Sequence, residues 1–252
     1  MAKVATLKVT LLEAELLGVT EAHVEFFPSH LVIRDNVAVA SVQIHQQLIK
    51  PMQQLQAAAQ QAGFSLAIAS GFRGFARQLS IWDRKCTAHA PLLDEYGIPM
   101  DILCLSDYEK LEHILRWSAL PGASRHHWGS ECDIYDAAAI GPDYQLQLTP
   151  DEYQGNGPFA PMMHWLEKYL QQAEAPAFYR PYDKNHNGVA PEPWHLSYRP
   201  LAEHYEQHFS LSVLKRWLEV NNMKQKETVF EHLDEIYRRF ICLPDSLYKT
   251  IA

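Results

Sequence analysis

Apolar and polar positions along the chain switch between a helical and an alternating period, and the switches outline a set of elements. Residues 7–17 carry apolar side chains at helical spacing and predict a short amphipathic helix. Residues 24–27 and 31–33 predict two short strands on either side of Pro28-Ser29, and Asp35-Asn36 supplies a turn or a helix cap. The pattern over 37–62 reads as helical, with Val42, Leu48, Leu55 and Ala59 facing inward and Pro51 kinking or splitting the helix. Gly63 ends it, and residues 64–69 read as a buried strand. The turn Ser70-Gly71-Phe72-Arg73-Gly74 leads into a helix over 75–88, which sets Gln78 and Trp82 one turn apart.

Residues 91–105 form a poorly patterned connection. Ser106-Asp107 with Glu109 has the look of a capping box opening a helix over 108–118, which Leu120-Pro121-Gly122 breaks. Ile134-Tyr135 reads as strand and 142–156 as a long loop. A helix follows over 159–173, with Met163, Leu166 and Leu170 on one face. Residues 178–182 predict a strand entering a turn at 183–188, and 194–198 the return strand of that hairpin. Beyond Pro200 come three helical patterns, over 201–209, 211–221 and 228–240, without clusters of reactive side chains. No internal repeat is visible.

Composition narrows the classes. At 252 residues and 47% hydrophobic content the chain suffices for one large domain, or one domain with an appendage. A formal net charge of −8 argues against nucleic-acid and anionic-membrane partners. The four cysteines, Cys86, Cys104, Cys132 and Cys242, show no CxxC spacing and read as buried free thiols. Neither a signal-type apolar stretch nor a segment of transmembrane length is present, so the expected location is cytoplasmic, with periplasmic the alternative.

The chemistry concentrates in Ser124-Arg125-His126-His127-Trp128-Gly129-Ser130-Glu131-Cys132-Asp133-Ile134-Tyr135-Asp136, with a partner at Glu192-Pro193-Trp194-His195. Zinc that hydrolyses keeps three nitrogen or oxygen ligands and an open position. A turn at Gly129 folds His126 back against Asp133 on the following strand, and His195 offers a third donor. Glu192, three positions before His195, is close enough to serve as a proton shuttle without being a ligand. Arg73 offers a guanidinium to an oxyanion or a substrate carboxylate. Residue types and spacing leave His127 and Asp136 as rivals for the ligand roles, and Trp194 reads as core packing.

Three separated blocks carry a family resemblance. Ser70-Gly71-Phe72-Arg73 with Gln78 resembles an S-x-[YF]-R block with its downstream Gln. Ser124-x-His126-x-x-Gly129-x-x-x-Asp133 is similar to S-x-H-x-x-G-x-x-x-D, and Glu192-x-Trp194-His195 to E-x-W-H. In this order they resemble the zinc D-alanyl-D-alanine carboxypeptidases of the VanY type, within a wider group that includes hedgehog-like and lysostaphin-type zinc proteins. The resemblance implies an α+β fold, with helices packed on a small antiparallel sheet that carries the zinc site. It implies a peptidase domain over 1–200, its core about 35–200, and the helical patterns beyond Pro200 read as a helical C-terminal extension over 201–252. It assigns His126, Asp133 and His195 to one zinc ion per chain and Glu192 to general-base catalysis. Arg73 takes a catalytic and substrate-binding role, and Ser124 and Gln78 substrate binding.

The implied reaction removes a terminal D-alanine from a peptidoglycan-derived peptide. L,D-carboxypeptidase or D-Ala-D-Ala dipeptidase activity on soluble muropeptides, and a non-catalytic zinc-containing binding domain, are the alternatives. The chain departs from the pattern in three places. Glu131 stands where many relatives carry a small apolar residue, Arg125-His126-His127-Trp128 is bulky, and the helical tail has no counterpart in the minimal domain.

Overall fold

The computed structural model describes residues 8–34, 37–94, 97–100 and 105–244, so the expected turn at Asp35-Asn36 and the thiol of Cys104 lie outside the described residues. Thr10 opens α1 (Leu11–Leu16) with a reciprocal capping box shared with Glu13. Strands β1 (Val24–Arg34) and β2 (Val37–His45) then pair as an antiparallel ribbon. This corrects two expectations. Residues 24–27 and 31–33 form one strand, because a register shift between Pro28 and Val32 absorbs the proline. Residues 37–45 are strand, not helix: β-branched residues favour the extended chain, and buried Val42 and Ile44 alternate with the less buried Ser41 and Gln43.

After a 3₁₀ turn over Gln46–Leu48, α2 spans Ile49–Gln61. Pro51 lies in its first turn, where a missing N–H leaves no intrahelical bond unmade, so it neither kinks nor splits the helix. Next come β3 (Leu66–Ser70), α3 (Phe75–Cys86), the short pair β4 (Leu92–Leu93) and β5 (Pro99–Met100), and α4 (Asp107–Trp117). The last begins with the expected Ser106–Glu109 capping box. Strand β6 (Glu131–Asp136) is followed by α5 (Pro150–Tyr153), which falls inside the expected loop. Helix α6 (Ala160–Tyr169) is shorter than the apolar pattern suggested. Strands β7 (Phe178–Tyr179) and β8 (His195–Tyr198) make the expected pairing, and α7 (Arg199–His208) and α8 (Leu211–Val220) follow. The expected helix over 228–240 is interrupted at His232, giving α9 (Lys226–Glu231), α10 (Leu233–Ile236) and a π-turn over Tyr237–Ile241.

The functional centre rests on a four-stranded antiparallel sheet in the order β3-β6-β8-β7. Helices packed around this small sheet give the α+β class that the motif pattern implied. Strand β6 is buried along its whole length. Its register sets Asp133 opposite Ser70 on one side and opposite His195 on the other. Directly opposed residues share a face of an antiparallel sheet. One face therefore presents Asp133 and His195, while Cys132, Ile134 and Leu196 enter the apolar core with Leu55, Ala59, Phe159, Met162 and Leu166.

A second core joins α1, α3 and α4 to the helices beyond Pro200. Leu16, Trp82, Leu111, Ile114, Leu214, Leu218, Val229, Leu233 and Ile236 meet there. Burial of that many large side chains, each contributing roughly 1.5–3 kcal/mol, fixes these helices against the first half of the chain. The thiols differ from expectation at one described position: Cys132 is buried and Cys86 partly so, but Cys242 is exposed. Among the described residues no helix is long and apolar enough to cross a membrane.

Two positions test this architecture. Gly129 has φ of +67°, and an added Cβ would stand 2.7 Å from Val24 Cγ1 and 2.9 Å from the His45 backbone nitrogen. Gly63 has φ of +89° but nothing within 4 Å of such a Cβ. G63A is therefore expected to cost roughly 1–2 kcal/mol, the strain of a left-handed L-residue, and G129A distinctly more. Equal losses in urea unfolding would contradict the packing at the turn.

His45 supplies a pH test. Burial first, then the neighbouring His23 and His204, pushes its imidazole down to about 4. Its Nδ1 also accepts the Gln47 N–H at 3.0 Å, which protonation there would prevent. A depressed imidazole is neutral in the folded protein while the unfolded chain still protonates near the ordinary 6.5. Its stabilising contribution is thus complete above pH of about 6.5 and is lost as pH falls toward about 4. His45→Gln is expected to flatten the fall of the urea midpoint across that window, and an unchanged slope would overturn this account.

Candidate metal centre

Ser124 is buried just ahead of the 3₁₀ turn Arg125–Trp128, and its carbonyl accepts the His127 N–H at 3.0 Å. The left-handed Gly129 ends the turn and reverses the chain into β6. That reversal brings His126 over Asp133. His126 Nδ1 donates to the Gly71 carbonyl at 2.8 Å, which leaves Nε2 facing Asp133 Oδ1 at 3.6 Å. His195, opposite Asp133 in the sheet, points Nδ1 at the same carboxylate oxygen, 3.3 Å away. The two imidazoles stand nearly perpendicular, with centroids 4.9 Å apart.

One donor atom from each of His126, Asp133 and His195 lies within 4.8 Å of the other two, and all three residues are buried. Two imidazoles, in their neutral form, and a carboxylate would make a donor set that suits zinc. His195 Nδ1 makes no hydrogen bond among the described residues although it is buried. The outer nitrogen of each imidazole is held by an oxygen, the arrangement that orients histidine toward a metal. These residues fit the ion that the motif pattern implies.

The rivals are engaged elsewhere. His127 is turned away: Nδ1 donates to the Arg73 carbonyl and Nε2 accepts the Gly122 N–H at 3.1 Å. Burial drives its imidazole down to about 3. Asp136 Oδ1 accepts the backbone N–H of Ser65 at 2.8 Å and of Ala138 at 3.1 Å, tying the strand end to its neighbours. Trp194 is core, as expected, with its ring 5.4 Å from that of Tyr153.

Glu192 Oε2 lies 3.6 Å from His195 Nδ1, because the Glu192 carbonyl accepts the His195 N–H and closes a tight turn. Burial, reinforced by the charge of Asp133 and opposed by His195 and Arg73, raises the Glu192 carboxyl to about 7. Burial acts in the opposite sense on His195, but the adjacent Asp133 and Glu131 carboxylates outweigh it and carry the imidazole up to about 10. Asp133 would be raised by burial, yet His126 and His195 hold it well below the usual carboxylate range.

Arg73 enters from the turn after β3. Its guanidinium donates through Nη1 to Gln78 Oε1 at 3.0 Å and through Nη2 to Ser70 Oγ at 3.2 Å. Gln78 is fully buried, and its Nε2 donates to the Ala119 carbonyl at 2.7 Å. The amide therefore stands behind the arginine and fixes its position.

Tyr182 and Ser197 stand beside the site although no motif singles them out. Tyr182 places its ring 5.0 Å from that of His195, and Ser197 Oγ donates to Glu131 Oε1 at 2.8 Å. Glu131 itself lies inward, with Oε2 accepting from His195 Nε2 at 3.0 Å. Glu131, one of the departures from the motif pattern, stands two residues before Asp133, on the same face of the strand.

The family model described as VanY, D-alanyl-D-alanine carboxypeptidase, matches residues 41–201. Two Haemophilus influenzae proteins described as uncharacterized are similar. One is 34% identical over 122 residues, covering 48% of this chain and 92% of that protein. The other is 37% identical over 91 residues, covering 36% of this chain and 62% of that protein. Among solved structures, VanYB in complex with D-alanine-D-alanine has 20% identity and a TM-score of 0.44, covering 78% of this chain and 91% of that one. The LdcB LD-carboxypeptidase has 20% identity and a TM-score of 0.42, covering 78% and 80%. The family model spans well over half of the sequence, including all three motif blocks, and the chain belongs to the VanY D-alanyl-D-alanine carboxypeptidase family.

Proposed function

We propose that this chain is a zinc-dependent carboxypeptidase that removes a terminal D-alanine from peptidoglycan-derived peptides. His126, Asp133 and His195 are its metal ligands and Glu192 its general base. The observation that carries the reading is the convergence of three buried donor atoms with a fourth group, Glu192, whose Oε2 stands 3.6 Å from His195 Nδ1. A purely structural metal site has no use for a carboxylate that stands beside the ligands without being one of them.

Zinc held by these side chains supplies Lewis acidity, lowering the pKa of water and polarising a carbonyl. Glu192 takes the proton from the attacking water and returns it to the departing amine. The scissile C–N bond is thereby replaced by a C–O bond, and the amine leaves neutral. Arg73 places positive charge where the carbonyl oxygen becomes anionic, or against the substrate's terminal carboxylate. Gln78 contributes to substrate binding through the arginine that it orients, and Ser124 lies at the base of the same turn as His126. The sign of the net charge, −8, and the composition favour a small peptide over nucleic acid or membrane as the partner.

The direct test is D-alanine release from tri-, tetra- and pentapeptide stems and from D-Ala-D-Ala, with and without a chelator. Release from the pentapeptide that disappears on metal removal supports the proposal. Release that survives full metal depletion removes the zinc mechanism. Cleavage confined to the tetrapeptide, or to the dipeptide, identifies an L,D-carboxypeptidase or a dipeptidase instead. Zinc binding without hydrolysis of any stem identifies a binding domain.

Glu192→Gln is expected to keep zinc while kcat falls by roughly a hundred- to ten-thousand-fold, as loss of a proton shuttle requires. Loss of zinc from that variant would make Glu192 a ligand. His195→Ala is expected to lose zinc, and metal content near wild type would overturn the ligand set. Arg73→Lys should lower kcat/KM by about a hundredfold or more without altering zinc content, since a lysine cannot reproduce the fork held by Gln78 and Ser70. Gln78→Ala should move the same parameter in the same direction by less. Unchanged kinetics in both variants would remove Arg73 from the mechanism.

A further inference from the structure

Beneath His195 lies a buried chain of charges that leaves the metal centre and ends on the C-terminal helices. Glu131 is fully buried, and its Oε2 accepts from His195 Nε2 at 3.0 Å. Its Oε1 accepts from Ser197 Oγ at 2.8 Å and from Arg125 Nε at 3.2 Å, with Arg125 Nη2 3.1 Å away. Arg125 is itself buried. It reaches Tyr179 Oη at 2.7 Å through Nη2 and pairs with Glu206 of α7 through Nη1, while its guanidinium lies over Trp128. The three places where the chain departs from the motif pattern are Glu131, the bulky Arg125–Trp128 turn and the helices beyond Pro200. They are one connected unit.

The geometry has a specific consequence for His195. A carboxylate can only accept, so the proton of the neutral ring is held on Nε2 and the lone pair is left on Nδ1, the atom that faces Asp133. Glu131 in turn depends on Arg125. A carboxylate at 0% exposure without a cation beside it would carry the full desolvation cost of a buried ion. Arg125 depends on its partners in the same way, and Glu206 of α7 is one of them.

We propose that Glu131 is a positioning residue that fixes the tautomer and orientation of His195. We propose also that α7, through Glu206 and Arg125, holds Glu131 in place, which makes the C-terminal helices a working part of the metal centre. This rests on the assignment of His195 as a ligand. A carboxylate behind a liganding histidine raises its basicity, and its removal typically costs ten- to a hundredfold in metal affinity.

The test measures the dissociation constant of Zn²⁺ by competition with a chromophoric chelator, alongside nitrogen and proton NMR of the histidine rings in the zinc-loaded protein. Glu131→Gln is expected to weaken zinc by about ten- to a hundredfold and to move the His195 Nε2–H resonance upfield, since the acceptor is no longer charged. Glu206→Gln should weaken zinc by less, and should add nothing in an Glu131→Ala background, where the link is already cut. Should Glu131→Gln fail to fold, Ser197→Ala and Glu206→Gln, which alter the same carboxylate's surroundings, take over the readout. Zinc affinity and an Nε2–H resonance both close to wild type in these variants would overturn the proposal. So would a Glu206→Gln loss that persists in full in the Glu131→Ala background. His195→Ala separates the two readings: if it loses zinc while Glu131→Gln does not, only the positioning role falls, whereas retained zinc in His195→Ala removes the ligand assignment itself.

Discussion

The strand register that sets Ser70, Asp133 and His195 side by side across β3, β6 and β8 is the constraint on which the rest of the centre depends. These residues are far apart in the chain, and no local element could assemble them. Once they are paired, each brings its neighbourhood along. Ser70 delivers the turn that carries Arg73, Asp133 follows the Gly129 reversal that carries His126, and His195 ends the turn that carries Glu192. A slip of one residue in β6 would turn Asp133 into the core and Cys132 toward the imidazoles. The apolar set Cys132, Ile134 and Leu196 opposes that slip, so the core specifies the site by refusing the alternatives.

Much of this was legible because motif residues and turn chemistry are local. The Ser106–Glu109 cap, the Gly129 reversal and the β7–β8 pairing each follow from a few adjacent side chains. The stretch 37–45 fits a helical pattern yet folds as strand, for an instructive reason. Val42, Leu48, Leu55 and Ala59 are all buried, as the helical reading required, but Val42 reaches the core from an alternating strand. Inward-facing residues that straddle an element boundary satisfy both periods, and β-branching at Val42 and Ile44 is what separates them. The choice of His126 over His127 was not legible from spacing. It depends on which ring meets the Gly71 carbonyl and which meets Arg73 and Gly122, and those contacts come from distant segments.

The charges of the centre explain why so polar a cluster survives in a buried place. Glu131 and Asp133 sit on one face of one strand, two like charges that would repel if left alone. Arg125 answers Glu131, holding that carboxyl down at about 2 against the effect of its burial. Asp133 and Glu192 draw instead on the imidazoles and on Arg73. The appetite of the pocket for positive charge is visible in His195, carried to about 10 by the carboxylates around it. A divalent cation would answer the same demand with its ligands deprotonated, so cation binding and acid–base balance would be set by one electrostatic arrangement.

That arrangement changes how the C-terminal helices are to be understood. Their apolar residues share a core with α1, α3 and α4, which accounts for why they pack but not for why Glu206 points inward. A half-buried carboxylate on α7 is an awkward element of a core whose only task is stability, because desolvation offsets much of what the pairing returns. It is a sensible element of a system that must keep Arg125 against Glu131. Apolar packing then supplies the rigidity, and the ion chain supplies the direction in which that rigidity acts, toward the Nδ1 face of His195. The helices beyond Pro200 and the sheet are joined by a chain of charges whose far end is His195.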